Sequence, residues 1–352
     1  MIFLGAPPAG LLVDKIGPQP LIAGGSIGLL IGTFMTSLCK EYYQFFLAQG
    51  FLMGASMSFL TIPSVSTISH HFTTSRGLAT GIAIAGSSMG GVIWPIVCDQ
   101  LLNHRGVSFG WTMRIVGFIM IPLIVIATLT VLPPKSSSTS VANEKEGQVI
   151  EEKKPKQKTD LSILKKPAYI AFVLGITIFN LGMFTPFFFT TAYAASLGHS
   201  VSFSFYILSA MNAASLFGRI GIGSLADKYG AFNLTSISAL VGAIVCFCWT
   251  TATSTGGITV WAIAYGFSSG AILSLQMQCA AALSTKETYG TAIGLALGFA
   301  SISGLVGTPI SGELVPKGYL VLSAYCASTL MAAALIVMVS RLIQSRQLWV
   351  KI

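Results

Sequence analysis

Long apolar runs separated by short polar stretches make up most of this chain. A helix needs about 20 residues to cross the apolar core of a bilayer. Ten runs are that long, and they lie near 20–39, 44–70, 77–102, 111–132, 168–196, 202–224, 231–253, 257–283, 288–312 and 318–342. An eleventh run, from Ile2 to Val13, has about a dozen residues, roughly 18 Å of helix. The pattern predicts an all-α integral membrane protein whose first helix is partial.

Composition agrees with a membrane environment. Charged residues make up 9% of the chain, hydrophobic residues 53%, and the mean hydropathy is +0.77. A soluble domain has about 25% charged residues. The net charge of +9 does not indicate nucleic-acid binding, because the basic residues lie mostly between apolar runs and form no basic surface interleaved with aromatic residues.

One long polar stretch divides the apolar runs into two groups. Residues 133–167 are rich in serine and lysine and have no apolar period, so we expect a disordered linker there. The predicted domains are an N-terminal half at 1–132 with about five helices and a C-terminal half at 168–352 with six. Restoring one helix before Met1 would give two six-helix halves, so the first half is expected to be truncated.

The distribution of lysine and arginine predicts the orientation. Of the 20 residues, fifteen lie on the side of the linker, four lie on the opposite side, and Arg219 lies within a helix. Positive residues concentrate in cytoplasmic segments of membrane proteins. We therefore expect the linker and the C-terminus to be cytoplasmic, in a multi-pass protein of the plasma membrane.

A charged phrase occurs twice in the chain. Residues 10–17 read GLLVDKIG and residues 223–230 read GSLADKYG, with five of eight positions identical. Segments that begin at Gly77 and Gly290 match each other and are separated by the same offset as the two phrases. The halves are therefore related by duplication. Each phrase is expected to form a tight cytoplasmic loop, in which glycine allows the turn and lysine faces the anionic leaflet.

These phrases resemble the signature loop of the major facilitator superfamily, G-x-L-x-D-[RK]-x-G. Three segments further resemble the monocarboxylate porter family, especially its fungal branch: 76–96, 211–230 and 290–314. The resemblance implies a fold of two six-helix pseudo-repeats. It also implies transport of a small organic anion, such as a monocarboxylate, between alternating conformations.

The resemblance assigns a gating role to both phrases. Asp14 is expected to contact the helix that begins near Gly290, and Asp227 the helix that begins near Gly77, latching the cytoplasmic gate. The alternative is that both aspartates are solvated turn residues. Four basic residues are expected to complete ion networks around the latches: Lys15, Arg76, Lys228 and Lys286.

Arg219 is the first candidate for a substrate site. A guanidinium within an apolar helix usually faces a cavity or a partner. Helical spacing places Asn212, Ser215 and Arg219 on one face, and this stripe can bind a carboxylate through the bidentate guanidinium. The resemblance implies a substrate site there, and the alternative is that Arg219 extends to the membrane surface. Ser215 stands where proton-coupled members of the family have an aspartate.

Further polar residues within the apolar runs are candidates for the substrate cavity, with interhelical hydrogen bonding as the alternative role. They are Asn180, Gln276 and Ser88. The chain has no P-loop and no catalytic or metal-ligand constellation. We expect neither an enzyme nor an ATP-driven pump, and no cofactor or metal.

The sequence thus predicts a secondary transporter of a small organic anion in the lipid bilayer. Two alternatives remain at this point. One is a transporter of a neutral or secondary metabolite. The other is a non-transporting membrane sensor or an inactive fragment, since a half without its first helix is incomplete.

Overall fold

The computed structural model describes residues 4–72, 74–131, 162–285 and 288–346, with the side chains of 103, 201, 202 and 205 left out. This part of the chain folds into eleven helices and contains no strand. The helices are α1 Ala6–Ile16, α2 Pro18–Thr36, α3 Tyr42–His71, α4 Arg76–Asp99, α5 Phe109–Thr130, α6 Pro167–Ser196, α7 Val201–Tyr229, α8 Ala231–Phe247, α9 Thr255–Ala282, α10 Tyr289–Leu314 and α11 Tyr319–Gln344.

Each apolar run corresponds to one helix, so the predicted all-α membrane fold is confirmed. Eight described helices are long and apolar enough to cross a membrane. The others are α1 with 11 residues, α8 with 17, and α7, which carries the charged residues of the second phrase. Two spans are irregular: α3 includes a π-helical segment at Phe46–Met53, and α6 is interrupted between Gly182 and Thr185.

Local sequence explains where several helices begin. Proline occupies the first turn of α1, α2 and α6, where its missing N–H costs no helical hydrogen bond. Ser200 and Ser254 are N-caps of α7 and α9, and their hydroxyl groups accept the backbone N–H of Phe203 at 3.2 Å and of Gly257 at 3.1 Å. These ends of α7 and α9 are therefore set by short-range chemistry.

The two charged phrases are helical, and the expectation that they form loops is wrong. Asp14 lies in the last turns of α1 and Asp227 in those of α7, and only the final glycine of each phrase links to the next helix. Gly17 has φ 85° and Gly230 has φ 88°, a conformation that favours glycine. No residue earlier in either phrase breaks a helix, so the chain stays helical up to this glycine.

The N-terminal and C-terminal halves meet mainly along two helix pairs, α1 with α10 and α4 with α7. Backbones approach closely there: a Cβ atom on Gly10 would lie 2.2 Å from the carbonyl oxygen of Gly290, and one on Gly77 would lie 2.0 Å from that of Gly223. Small residues permit such close packing between membrane helices. The sequence repeat aligns Gly10 with Gly223 and Gly77 with Gly290, so the two contacts are equivalent.

The predicted linker lies mainly outside the described residues, which resume at Ser162. Residues 162–167 have a defined structure, so the prediction of disorder is wrong for this last part of the linker. Ser162–Lys165 forms a 3₁₀ turn, Ile163 is buried in the core, and the Lys166 ammonium group donates to the carbonyl oxygen of Leu283 at 3.1 Å. An apolar anchor and a hydrogen bond to the end of α9 hold this segment in place.

Candidate functional site: two aspartate latches and the α4–α7 seam

Asp14 caps the first residues of α10 in the opposite half. Its carboxylate accepts the backbone N–H of Gly290 at 3.1 Å, the backbone N–H of Thr291 at 2.7 Å and the Thr291 hydroxyl at 2.6 Å. The first N–H groups of a helix have no partner within the helix, and the helix dipole favours an anion there. Asp14 therefore joins the two halves by three hydrogen bonds.

Asp227 makes the equivalent contact in the other direction. Its carboxylate accepts the backbone N–H of Gly77 at 2.7 Å and that of Leu78 at 3.0 Å, at the start of α4. We call these two caps the Asp14 latch and the Asp227 latch. Both predicted contacts are present, and the hydrogen-bonded aspartates are not the solvated turn residues of the alternative.

Among the residues that the structure describes, the ion networks expected around the latches are not formed. Within the described part of the chain, the pair of Asp99 and His104, at 3.6 Å, is the one carboxylate and basic side chain within 4.0 Å of each other. Lys15 is exposed, and the Lys228 ammonium group lies 5.3 Å from the ring centroid of the neighbouring Tyr229. The helix N–H groups already bind the latch carboxylates, so the predicted networks are wrong for Lys15, Arg76 and Lys228.

The predicted gating residue Lys286 lies outside the described residues. The structure describes Arg76, which makes a contact that sequence reasoning missed. Its Nε donates to the carbonyl oxygen of Phe72 at 3.0 Å, and its Cζ lies 5.2 Å from the ring centroid of Tyr289. The His70 ring meets the same tyrosine ring edge-on at 5.2 Å. The repeat held a signal for this pair, because it aligns Arg76 with Tyr289.

Arg219 is buried between α7 and α4. Its side chain is 6% exposed, so the alternative in which it extends to the membrane surface is wrong. The guanidinium Nη1 donates to the carbonyl oxygen of Ile84 at 2.6 Å and to the hydroxyl of Ser87. Its Nε is buried and has no hydrogen-bond partner among the described residues. The cation is therefore only partly satisfied, and its partners belong to the other half.

The rest of the predicted stripe also faces α4. The Ser88 hydroxyl donates to that of Ser215 at 3.3 Å, and both side chains are fully buried. A Cβ atom on Gly91 would lie 2.7 Å from the Oδ1 of Asn212. We call this contact surface, from Gly77 to Gly91 on α4, the seam. It covers about 21 Å of helix at 1.5 Å per residue.

Two further candidates lie deep in the C-terminal half. Asn180 is 2% exposed and Gln276 is 3% exposed. The amide nitrogen of Asn180 donates to the carbonyl oxygen of Ile176 at 2.9 Å. Asn180 Oδ1 and Gln276 Oε1 have no hydrogen-bond partner in the described part of the chain. No hydrogen bond described there joins either residue to the seam.

One further polar residue lies near the Asp227 latch. Gln278 on α9 lies in the same apolar run as Gln276, and its Nε2 donates to the carbonyl oxygen of Gly77 at 3.3 Å. This is another contact between the halves at the start of the seam. Nothing in the sequence distinguishes Gln278 from other polar residues of α9.

Comparison with known proteins adds a family and relatives to this geometry. Residues 1–308 match the family model described as Major Facilitator Superfamily. The chain is similar to the agnestins efflux protein of Paecilomyces divaricatus, with 45% identity over 335 residues, covering 95% of this chain and 74% of the relative. It is also similar to an MFS-type transporter of Aspergillus fumigatus, with 42% identity over 353 residues, covering 98% and 81%.

A solved structure has the same fold. It is a crystal structure of the transporter FucP in the outward conformation, with a TM-score of 0.72 and 14% sequence identity, covering 96% of this chain and 87% of that chain. At this identity the likeness concerns the fold. Neither of the two relatives above is named as a monocarboxylate porter.

Proposed function

The chain belongs to the Major Facilitator Superfamily, and we propose that it is a secondary transporter that exports a small organic metabolite by alternating access. The observation that carries this proposal is the pair of latches. Each half supplies one carboxylate to the first N–H groups of a helix in the other half. Hydrogen bonds of this kind can form and break, so the two equivalent caps can let the halves close and open at the end where the caps lie.

The efflux relative supports export as the direction of transport, and the position of the latches at one end of the protein fits that direction. The lysine and arginine count predicts that this end is cytoplasmic. With both latches made, the cytoplasmic end is closed and the cavity between the halves opens to the outside. Release of both latches then admits substrate from the cytoplasm, which is the loading step of an exporter.

The relatives favour a secondary metabolite as the cargo. The agnestins efflux protein is 45% identical over 95% of this chain. This supports the alternative in which the protein carries a secondary metabolite more than it supports a simple monocarboxylate. A carboxylate can still be part of such a metabolite, and the buried guanidinium of Arg219 supports the presence of an acidic group.

Arg219 is the residue we propose to recognise an acidic group on the cargo. A buried guanidinium with an unpartnered Nε and no carboxylate within 4.0 Å among the described residues is costly to keep desolvated. When α4 leaves α7, the hydrogen bonds from Arg219 to Ile84 and Ser87 are lost, and an incoming carboxylate replaces them. Three neutral side chains of the seam would line the same surface: Asn212, Ser215 and Ser88.

Asn180 and Gln276 have a different proposed role. Each has a buried carbonyl oxygen without a partner in the described part of the chain. These oxygens accept hydrogen bonds and cannot bind an anion directly. We assign them to hydroxyl or amide donors on the neutral part of the metabolite, near the middle of the membrane where such transporters bind substrate.

The experiment compares acids with their amides. Purified wild type, Arg219→Lys and Arg219→Gln are screened by thermal shift against aromatic carboxylic acids and the matching primary amides. The lysine variant is expected to lose part of the stabilisation by acids, and the glutamine variant most of it, because the first loses the bidentate guanidinium and the second loses the charge as well. Stabilisation by amides is expected to persist.

A second buried arginine provides the control. Arg341 is 1% exposed and donates from Nε to Asn233 Oδ1 at 2.8 Å, away from the seam. Arg341→Lys is expected to lower stability without changing the preference for acids over amides. Equal losses for acids and amides in the Arg219 variants would contradict the proposed acidic cargo. They would assign Arg219 to packing between α4 and α7.

A further inference from the structure

Arg76 and Tyr289 occupy equivalent positions in the two halves. Each is the first residue of its helix, α4 and α10, and each precedes a glycine whose N–H binds a latch aspartate. Their separation along the chain equals the offset between the two charged phrases. The two side chains also touch, with the guanidinium carbon 5.2 Å from the ring centroid.

Contact between equivalent residues has a geometric consequence. The two halves of this fold are related by a pseudo-two-fold axis along the membrane normal, and the substrate site lies at the interface between them. Two points exchanged by such an axis lie at equal distances on opposite sides of it. The axis therefore passes between Arg76 and Tyr289. Their contact lies across the end of the central pathway, with one latch on each side.

The chemistry of the contact suits a closure that can be reversed. A guanidinium over an aromatic face is attracted to the ring quadrupole, and the attraction grows as water is excluded. Tyr289 is 4% exposed, and the His70 ring packs against it from the first half at 5.2 Å. No carboxylate lies within 4.0 Å of Arg76 among the described residues. Within the described part of the chain, the contact therefore joins the halves without an ion pair.

We propose that Tyr289, held by Arg76 and packed against His70, is the plug that closes the pathway at the end of the two latches. It acts as a positioning residue for the closed conformation and must leave the axis when substrate passes. This inference rests on the alternating access proposed above. It adds a contact on the axis that the paired aspartates, which lie to either side, do not provide.

Hydrogen exchange of the purified chain tests the plug without any substrate. The amides of Gly77 and Leu78, at the start of α4, are protected by the Asp227 latch only while that end is closed. Tyr289→Leu removes the ring from the other half. Loss of a cation–π contact is expected to speed exchange of these α4 amides by about 2- to 30-fold. Tyr289→Phe keeps the ring and is expected to stay within about twofold of wild type.

A variant in the other half distinguishes loss of the plug from local fraying or misfolding of the mutated helix. Arg76→Gln is expected to speed exchange at Gly290 and Thr291, which lie in the half that is not mutated. Arg114→Gln removes a similar guanidinium, 5.0 Å from the Trp111 ring within α5, and should leave the amides of both latches unchanged. Faster exchange confined to the mutated helix would overturn the proposal. Equal effects of the phenylalanine and leucine variants would overturn it as well.

The outcome is independent of the proposed cargo. If the wild-type protein moves no metabolite but Tyr289→Leu and Arg76→Gln each speed exchange in the opposite half, the export proposal fails and the plug stands. If the protein exports a metabolite but amide exchange is unchanged in Tyr289→Leu and in Arg76→Gln, the plug fails and the export proposal stands.

Discussion

Adding one methyl group at Gly77 is predicted to open the latch end of the protein. The new Cβ atom would lie 2.0 Å from the carbonyl oxygen of Gly223 and 2.9 Å from Asp227 Oδ1. Contacts between carbon and oxygen need about 3.3 Å, so α4 and α7 must separate by about 1.3 Å. The hydrogen bonds from Gly77 and Leu78 to Asp227, now 2.7 and 3.0 Å, then exceed bonding distance.

The energetic cost falls on the closed conformation alone. Overpacking costs about 1–3 kcal/mol and loss of a cap about 0.5–2 kcal/mol. The higher helix propensity of alanine, about 1 kcal/mol, stabilises α4 in both conformations and so does not change their ratio. The closed state should lose about 1.5–5 kcal/mol, which shifts the ratio of closed to open molecules by at least about tenfold.

Pulsed electron paramagnetic resonance measures the shift directly. Spin labels on Lys15 and Lys228, exposed at the ends of α1 and α7, report the separation of the halves in a chain without its six native cysteines. Gly77→Ala is expected to add a population at longer distance. Gly86→Ala, on the same helix with nothing within 4 Å of the new Cβ, is expected to match wild type. Identical distance distributions for the two variants would refute the steric reasoning.

Three more predictions follow from the latches and the stripe. Thr291→Val deletes the hydroxyl that Asp14 accepts but keeps the amide, so it should speed exchange at the start of α10 less than Asp14→Asn does; an equal effect would contradict the count of hydrogen bonds. Leu78 is the repeat equivalent of Thr291, so Leu78→Thr should supply Asp227 with the hydroxyl its latch lacks and slow exchange at the start of α4; unchanged exchange would contradict this. Ser215 leaves the buried arginine without an acidic partner one turn away, so a pH gradient across proteoliposomes should drive little accumulation, and a steep, uncoupler-sensitive accumulation would contradict it.

Much of the fold could be predicted because membrane helices are defined by apolar length. Every run longer than about 20 residues became one helix, and the polar ends of the runs lie close to the helix ends. The latch contacts could be predicted because the repeat supplied two copies of the same signal. The helical state of both phrases could not, since glycine and aspartate are also typical of loops and only the tertiary contact decides how the aspartate is used.

The candidate site was less predictable, because its partners lie far apart in the sequence. Arg219 binds α4 through Ile84, 135 residues away, and nothing in a single sequence pairs those positions. The lysines near the latches were expected to pair with aspartates because opposite charges attract, but helix N–H groups occupy those carboxylates instead. Tyr289 belongs to no motif, so its role depends on a contact that only the structure contains.

The single-residue links at Gly17 and Gly230 have a mechanical consequence. A link of one residue keeps the end of α1 next to the start of α2, and the end of α7 next to the start of α8, so a displacement of one helix end is expected to move the next helix. In each pair of helices, the latch aspartate lies three residues before the linking glycine. Release of Asp14 or Asp227 from its latch is therefore expected to shift the start of a neighbouring helix, which has 19 residues in α2 and 17 in α8.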